Sequence, residues 1–243
     1  PCLSEADMVA IKQKRARKEL QHGAALLPLE QRSDFELVEA TLTEEAARRE
    51  AARCLQCSTL CDKCVEVCPN RANYTFLVAP VTYTLPRLVC RQGKIETEGQ
   101  EVFHVTQSRQ IIHVDDFCNE CGNCATFCVH QGKPYTDKPR LFLQESDFAL
   151  EESNAFYVQR HGKGWMIKRR EGGEEAHLSM TDGALLFENN KLRIELSPVN
   201  LNITTMEMKE EFEGEFSLAD AAEMYVILKG ITSSLPFLPF ETK

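Results

Sequence analysis

The sequence predicts an α+β protein in three parts. These are a helical N-terminal segment (1–53), a cysteine-rich domain carrying a β insertion (54–145), and a small antiparallel β-rich domain closed by a helix (146–243). Three observations predict it. Nine of the eleven cysteines fall in two short runs, Cys54-x2-Cys57-x3-Cys61-x2-Cys64-x3-Cys68-Pro69 and Cys118-x2-Cys121-x2-Cys124-x3-Cys128. Between and after the runs, apolar and polar residues alternate with the period of strands. Helix-compatible sequence gathers at the two ends of the chain.

Residues 5 to 20 can form a basic amphipathic helix, interrupted by Pro28 and the loop around it. A second helix is better marked. Thr43 is the N-cap, Glu44 and Glu45 suit the positive end of the helix dipole, and Ala46, Ala47, Ala51 and Ala52 propagate it toward Cys54. This helix delivers the chain into the first cysteine run.

The cysteine spacing carries the chemistry. Three thiolates can reach the corners of a [4Fe-4S] cube from one tight loop only when they stand about three residues apart, and the fourth comes from elsewhere. In the bacterial two-cluster arrangement the last cysteine of each run ligates the cluster of the other run. The domain is therefore predicted to be ferredoxin-like, with two [4Fe-4S] clusters as cofactors. One cluster takes Cys118, Cys121, Cys124 and Cys68. The other takes Cys61, Cys64, Cys128 and one upstream thiolate. Counting back at the usual spacing leads to Ser58, so Cys57, one residue further out, is the expected ligand and Cys54 its alternative. Gly122 suits a loop that needs a positive φ, and Pro69 stiffens the exit from the first run. Val129 stands where the second run would also have proline.

Structural zinc is the competing reading of paired CxxC units, but zinc ribbons place two knuckles a dozen or more residues apart, and here five cysteines crowd into the first run and four into the second. Disulfides are disfavoured by the lack of a secretory signal and by neighbouring thiols typical of a reducing compartment, which points to the cytoplasm. Cys2 and Cys90, outside the runs, read as buried or incidental thiols.

Composition narrows the partners. A formal charge of −9 and a pI near 5.3 argue against a general affinity for nucleic acid or anionic lipid. The basic run from Lys12 to Lys18 is a solvated helix face. No apolar stretch approaches the ~20 residues that cross a bilayer. The chain begins with Pro1 rather than Met, which fits a cut fragment or one part of a longer polypeptide.

Between the runs, 49 residues (69–117) contain strand patterns at Tyr74–Val78, Arg87–Cys90, Val102–Val105 and Ile111–Val114, an insertion of one or two hairpins. His104 and His113 lie on these alternating patterns and read as surface or core residues rather than ligands. After a strand at Leu141–Leu143, two hairpins are predicted: Ala155–Val158 with Trp165–Lys168, and Leu185–Phe187 with Leu192–Leu196. A further strand spans Leu201 to Met208. A closing helix starts at a capping-box-like Ser217/Asp220, buries Leu218, Ala221, Ala222, Tyr225 and Leu228, and stops at Gly230. The apolar tail Leu235–Phe240 is core filling or a partner contact. Nothing in this last third has a catalytic pattern.

The segment from Phe35-Glu36-Leu37-Val38-Glu39 through Glu50-Ala51-Ala52-Arg53-Cys54-Leu55-Gln56-Cys57 resembles the cysteine-bearing segment of the NADPH-dependent glutamate synthase small subunit family and related flavoproteins. The longer pattern runs from Arg53-Cys54-Leu55 through Cys64-Val65-Glu66-Val67-Cys68-Pro69-Asn70-Arg71-Ala72-Asn73. It continues from Cys118-Asn119-Glu120-Cys121-Gly122-Asn123-Cys124 through Gly132-Lys133-Pro134-Tyr135. This pattern resembles the C-terminal part of the selenate reductase iron-sulfur/FAD subunit family. The resemblance implies a larger flavoenzyme in which NAD(P)H reduces FAD in a flavoprotein reductase domain or subunit. The clusters then pass electrons to a terminal oxidoreductase such as a molybdenum hydroxylase. FAD and NAD(P)H would bind a partner or another part of the chain, since no nucleotide motif lies in these residues. The primary expectation is an electron-transfer module without catalysis of its own. The rival is a metal-stabilised docking module of a larger complex without redox turnover.

Overall fold

A computed structural model describes residues 5–54, 61–181 and 183–242. They divide into two compact units, residues 3–61 and 62–243.

In the N-terminal unit most described residues are exposed. Helix α1 (Glu5–Arg15) ends earlier than the expected residue 20. Beyond it, a single bridge pairs Leu26 with Glu39, and backbone hydrogen bonds join Leu27 to Val38 and Ala40 to Ala25. Helix α2 (Glu44–Ala52) forms where expected: the Thr43 hydroxyl accepts from the Ala46 N–H at 3.2 Å. Glu44–Arg48 and Glu45–Arg49 ion pairs lie along its exposed surface at 2.8 and 2.5 Å. Such exposed i,i+4 pairs each contribute about 0.3–0.5 kcal/mol.

The second unit opens with the short helix α3 (Lys63–Glu66) and strand β1 (Asn73–Leu77). A long hairpin follows, β2 (Val81–Arg91) and β3 (Lys94–Val105), in the stretch where one or two hairpins were expected, and then β4 (Arg109–Val114). A 3-10 turn over Asp115–Phe117 leads to α4 (Asn123–Thr126), α5 (Pro134–Asp137), β5 (Arg140–Phe142) and α6 (Glu145–Phe148). Strands β6 (Ala155–His161), β7 (Gly164–Glu171), β8 (Glu174–Thr181), β9 (Ala184–Glu188), β10 (Leu192–Leu196) and β11 (Ile203–Met208) form a meander. The chain ends with β12 (Gly214–Phe216), α7 (Ala219–Ser234) and β13 (Glu241–Thr242).

Ten strands make one sheet in the order β1-β4-β5-β6-β7-β8-β9-β10-β11, with β13 added on β6. The β4–β5 and β5–β6 pairs are parallel, and the β6–β11 meander is antiparallel throughout. The sheet therefore runs without a break across residues 145 and 146, the boundary expected between the second and third parts. A second sheet, β12-β2-β3, stands apart, and its register shifts between Pro86 and Leu88, where proline has no N–H for the ladder. The α+β class holds.

One main core joins these layers. Ile112, Val114, Leu141, Phe156, Ile167, Leu178, Leu185 and Phe187 of the large sheet share it with Leu85 and Leu88 of β2 and with Ala221, Ala222, Leu228 and Ile231 of α7. Helix α7 differs from its prediction at both ends. It starts at Ala219, and Ser217 acts by accepting the Ala219 N–H at 3.0 Å, without a capping bond from Leu218. Gly230 is not the stop. It lies inside the helix because α7 crosses β1 closely there, and a Cβ at 230 would meet the Phe76 ring at 2.4 Å. Strand β8 was not predicted, because Leu178 is its one fully buried side chain and its alternation is weak. The tail fills the core: Leu235 and Leu238 are buried, and Phe240 packs edge-on against Trp165 at 5.5 Å.

Candidate metal centre

The antiparallel β1–β4 pair brings the two cysteine runs together. Its register matches Asn73 with His113, and the Val114 N–H donates to the Ala72 carbonyl at 2.7 Å. The first run ends four residues before Ala72, and the second begins four residues after Val114, so both emerge at the same end of the ladder. Helix α3 lies beside α4, and these two short helices carry Cys64 and Cys124, both buried.

The runs repeat at an offset of sixty residues. Cys68 and Cys128 follow α3 and α4 at matching positions. Arg71 and Gln131 take positive φ values of 52° and 57°. The Ala72 N–H then points at the Cys68 Sγ at 3.2 Å, and the Gly132 N–H at the Cys128 Sγ at 3.4 Å. The sequence shows this repeat in its cysteines alone. The left-handed positions are occupied by bulky residues that give no advance signal.

Cys68, Cys118, Cys121 and Cys124 line one cavity, together with Asn73, His113 and Tyr135. These four are the thiols the sequence assigns to one centre. Gly122 adopts φ 78°, as its position between Cys121 and Cys124 requires, and its carbonyl receives the Ala125 and Thr126 N–H groups that start α4. Burial pushes the Cys118 thiol up from its ordinary range; Asp115, Cys124 and Cys68 nearby add to this, while the Glu120 N–H, donating to its sulfur at 3.3 Å, works against it. Soft sulfur donors with backbone N–H groups aimed at them fit a soft-metal or iron-sulfur centre by donor chemistry.

The other predicted ligands fall in both units. Cys64 is buried on α3 and Cys128 is half-buried, both in the second unit, whereas Cys61 ends the N-terminal unit and Cys54 in that unit is exposed. Cys57, the expected fourth ligand, lies outside the described residues. Among the described residues no three His, Cys, Asp or Glu side chains converge on a point where a single ion would sit. Cys90 is buried in the hairpin sheet, 3.9 Å from the Met208 sulfur, away from both runs.

His113 and Asn73 were not singled out by the sequence as parts of the site. Both are almost wholly buried. The Asn73 amide donates to the Cys64 carbonyl at 3.0 Å, and His113 Nδ1 meets Asn73 Oδ1 at 2.9 Å. Burial holds the imidazole below its ordinary range, Asp115 opposes this, and Arg140 reinforces it. Arg140 in turn binds Asp115 and Glu151, each at 2.8 Å.

Fold and cavity together define an α+β protein with a cysteine-lined pocket where two loops of one repeat meet. The chain is similar over 111 residues, 46% of its length, to the Escherichia coli (strain K12) protein named "Putative oxidoreductase YgfK", with 40% identity. The protein of the same name from Escherichia coli O157:H7 is similar to the same extent. The matched part is 8% of each relative, so the chain spans a small part of their length. No family model and no solved structure matches the chain. Among the described residues no helix is long and apolar enough to cross a membrane.

Proposed function

We propose that this chain is the electron-transfer part of a larger oxidoreductase, holding two [4Fe-4S] clusters on its two cysteine runs. The observation that carries the reading is the cavity lined by Cys68 from one run and Cys118, Cys121 and Cys124 from the other. Similarity to a protein named as an oxidoreductase supports a redox role. Cys61, Cys64 and Cys128, with Cys57 or else Cys54, are the ligands of the second centre in this reading. Bound there, each cube supplies a reversible one-electron couple.

The residues of the chain do the rest. The Cys68, Cys118 and Cys128 sulfurs accept backbone N–H bonds, which favour added negative charge at the site. Cys64 and Cys124 are themselves shielded from solvent. The β1–β4 ladder fixes Cys68 against Cys118. Electrons enter from a flavin/NAD(P)H reductase part and leave to a terminal oxidoreductase such as a molybdenum hydroxylase. The net charge of −9 disfavours nucleic acid and anionic membranes as partners.

Anaerobic reconstitution tests the reading. The expected product is brown, holds about eight irons and eight sulfides per chain, and bleaches reversibly with dithionite. A colourless chain that takes up only zinc overturns it and favours a metal-stabilised docking module.

A further inference from the structure

Two polar side chains lie buried in the strand pair that joins the cysteine runs, and the ligand scheme does not use them. Asn73 and His113 are each 1% exposed and face one another in register. Because the Asn73 amide nitrogen donates to the Cys64 carbonyl, its Oδ1 is turned to His113 and accepts from Nδ1. In the neutral ring Nδ1 therefore carries the hydrogen and Nε2 the lone pair. Nε2 has no hydrogen-bond partner among the described residues, and the Asp115 carboxylate stands 3.9 Å away. Both side chains also form part of the wall around Cys68, Cys118, Cys121 and Cys124.

An unsatisfied buried polar group is destabilising, and an apolar pair would fill these positions without that cost. Ile111, Ile112 and Val114 around His113 are apolar. Packing alone therefore does not account for the pair, and its geometry offers a second role. A continuous set of contacts leads from the main chain of Cys64, in the first run, through amide and imidazole to the cavity wall of the second run.

We propose that Asn73 and His113 are positioning residues that couple the two centres, holding the Cys64 loop in fixed relation to the cavity of Cys68, Cys118, Cys121 and Cys124. The inference rests on the two-cluster reading above. Asn73 fixes the Cys64 carbonyl, His113 fixes Asn73, and a displacement of either loop is transmitted to the other.

The test uses the reconstituted 243-residue chain, with iron content, EPR of the dithionite-reduced protein and a redox titration as readouts. Asn73→Leu and His113→Phe are expected to keep about eight irons. Both should change the magnetic interaction between the reduced centres and shift at least one midpoint potential. His113→Asn, which retains an N–H toward Asn73 Oδ1, should restore the parental spectrum. Full iron with spectra and midpoints superimposable on the parent in both Asn73→Leu and His113→Phe overturns the inference and leaves the two-cluster reading standing. If those two variants fail to hold iron, His113→Asn decides: a parental spectrum supports the bridge, and an altered one overturns it. A parent chain that binds no iron overturns both.

Discussion

Gly230→Ala separates close packing from helix propensity, because the two predict opposite signs. Propensity alone makes the substitution favourable by about 1 kcal/mol in a helix interior. The packing of α7 on β1 opposes it. The added Cβ would lie 2.4 and 2.8 Å from two atoms of the Phe76 ring and 3.1 Å from Val78 Cγ2. Carbon atoms rest about 3.5–4.0 Å apart, so the ring must retreat by more than about 1 Å. Phe76 is 3% exposed and sits in the main core, so its retreat must displace buried neighbours. Overpacking of this kind costs about 1–3 kcal/mol. With two ring atoms overlapped, the upper end applies, and the net loss is about 2 kcal/mol after the propensity gain. For a unit of this size that lowers Tm by about 4–8 °C. Thermal unfolding followed by circular dichroism measures it. Gly23→Ala, with nothing within 4 Å of the added carbon, is the control. Phe76→Leu combined with Gly230→Ala should be more stable than Gly230→Ala alone. A Gly230→Ala protein that melts at or above the parent refutes the close crossing.

Cys118→Ser should cut the iron of the reconstituted chain from about eight to about four atoms, whereas Cys90→Ser should retain all of it, both read by iron assay. Gly122→Val forces a branched side chain into φ 78°, a left-handed conformation that costs about 1–2 kcal/mol, and should lower the urea midpoint accordingly. The Lys209 ammonium, 2.8 Å away, holds the Glu188 carboxyl below its ordinary range despite opposition from burial. The stability from that pair is full above the ordinary carboxylate pKa and is lost as pH falls through the lowered value. Lys209→Met should therefore differ from the parent in urea melts at neutral pH and converge with it in acid.

What the sequence made legible was local. Thr43 caps α2 through a bond spanning three residues, and Cys-x2-Cys spacing shows wherever it occurs. The hairpin turns at Gly162 and near Asn189 carry their own signals. What it hid depends on partners distant in the chain. Gly230 has the composition of a helix stop, and only the proximity of Phe76, 154 positions earlier, explains why it is internal. His113 sits in the pattern Ile111-Ile112-His113-Val114, where alternation cannot tell a solvent-facing imidazole from one buried against Asn73. The Cys68/Cys118 juxtaposition was inferred from spacing, but the β1–β4 register that creates it has no trace in either run alone.

Sheet continuity bears on whether the cysteine-bearing part can stand by itself. β5 pairs in parallel with β4 on one side and β6 on the other, so a cut after residue 145 leaves β5 as an open edge. It would also strip Ile112 and Val114 of the core they share with Phe156, Ile167 and α7. Leu141 and Phe142, now buried, would lie on an exposed apolar edge strand paired on one side only, which is an aggregation site. Since β4 leads directly into Cys118 and β1 directly out of the first run, loss of this core should loosen the ladder that aligns the runs. Residues 1–145 expressed alone are therefore expected to be poorly soluble and to hold substoichiometric iron. A soluble 1–145 fragment that unfolds cooperatively and holds about eight irons would mean that the shared core is dispensable to the site.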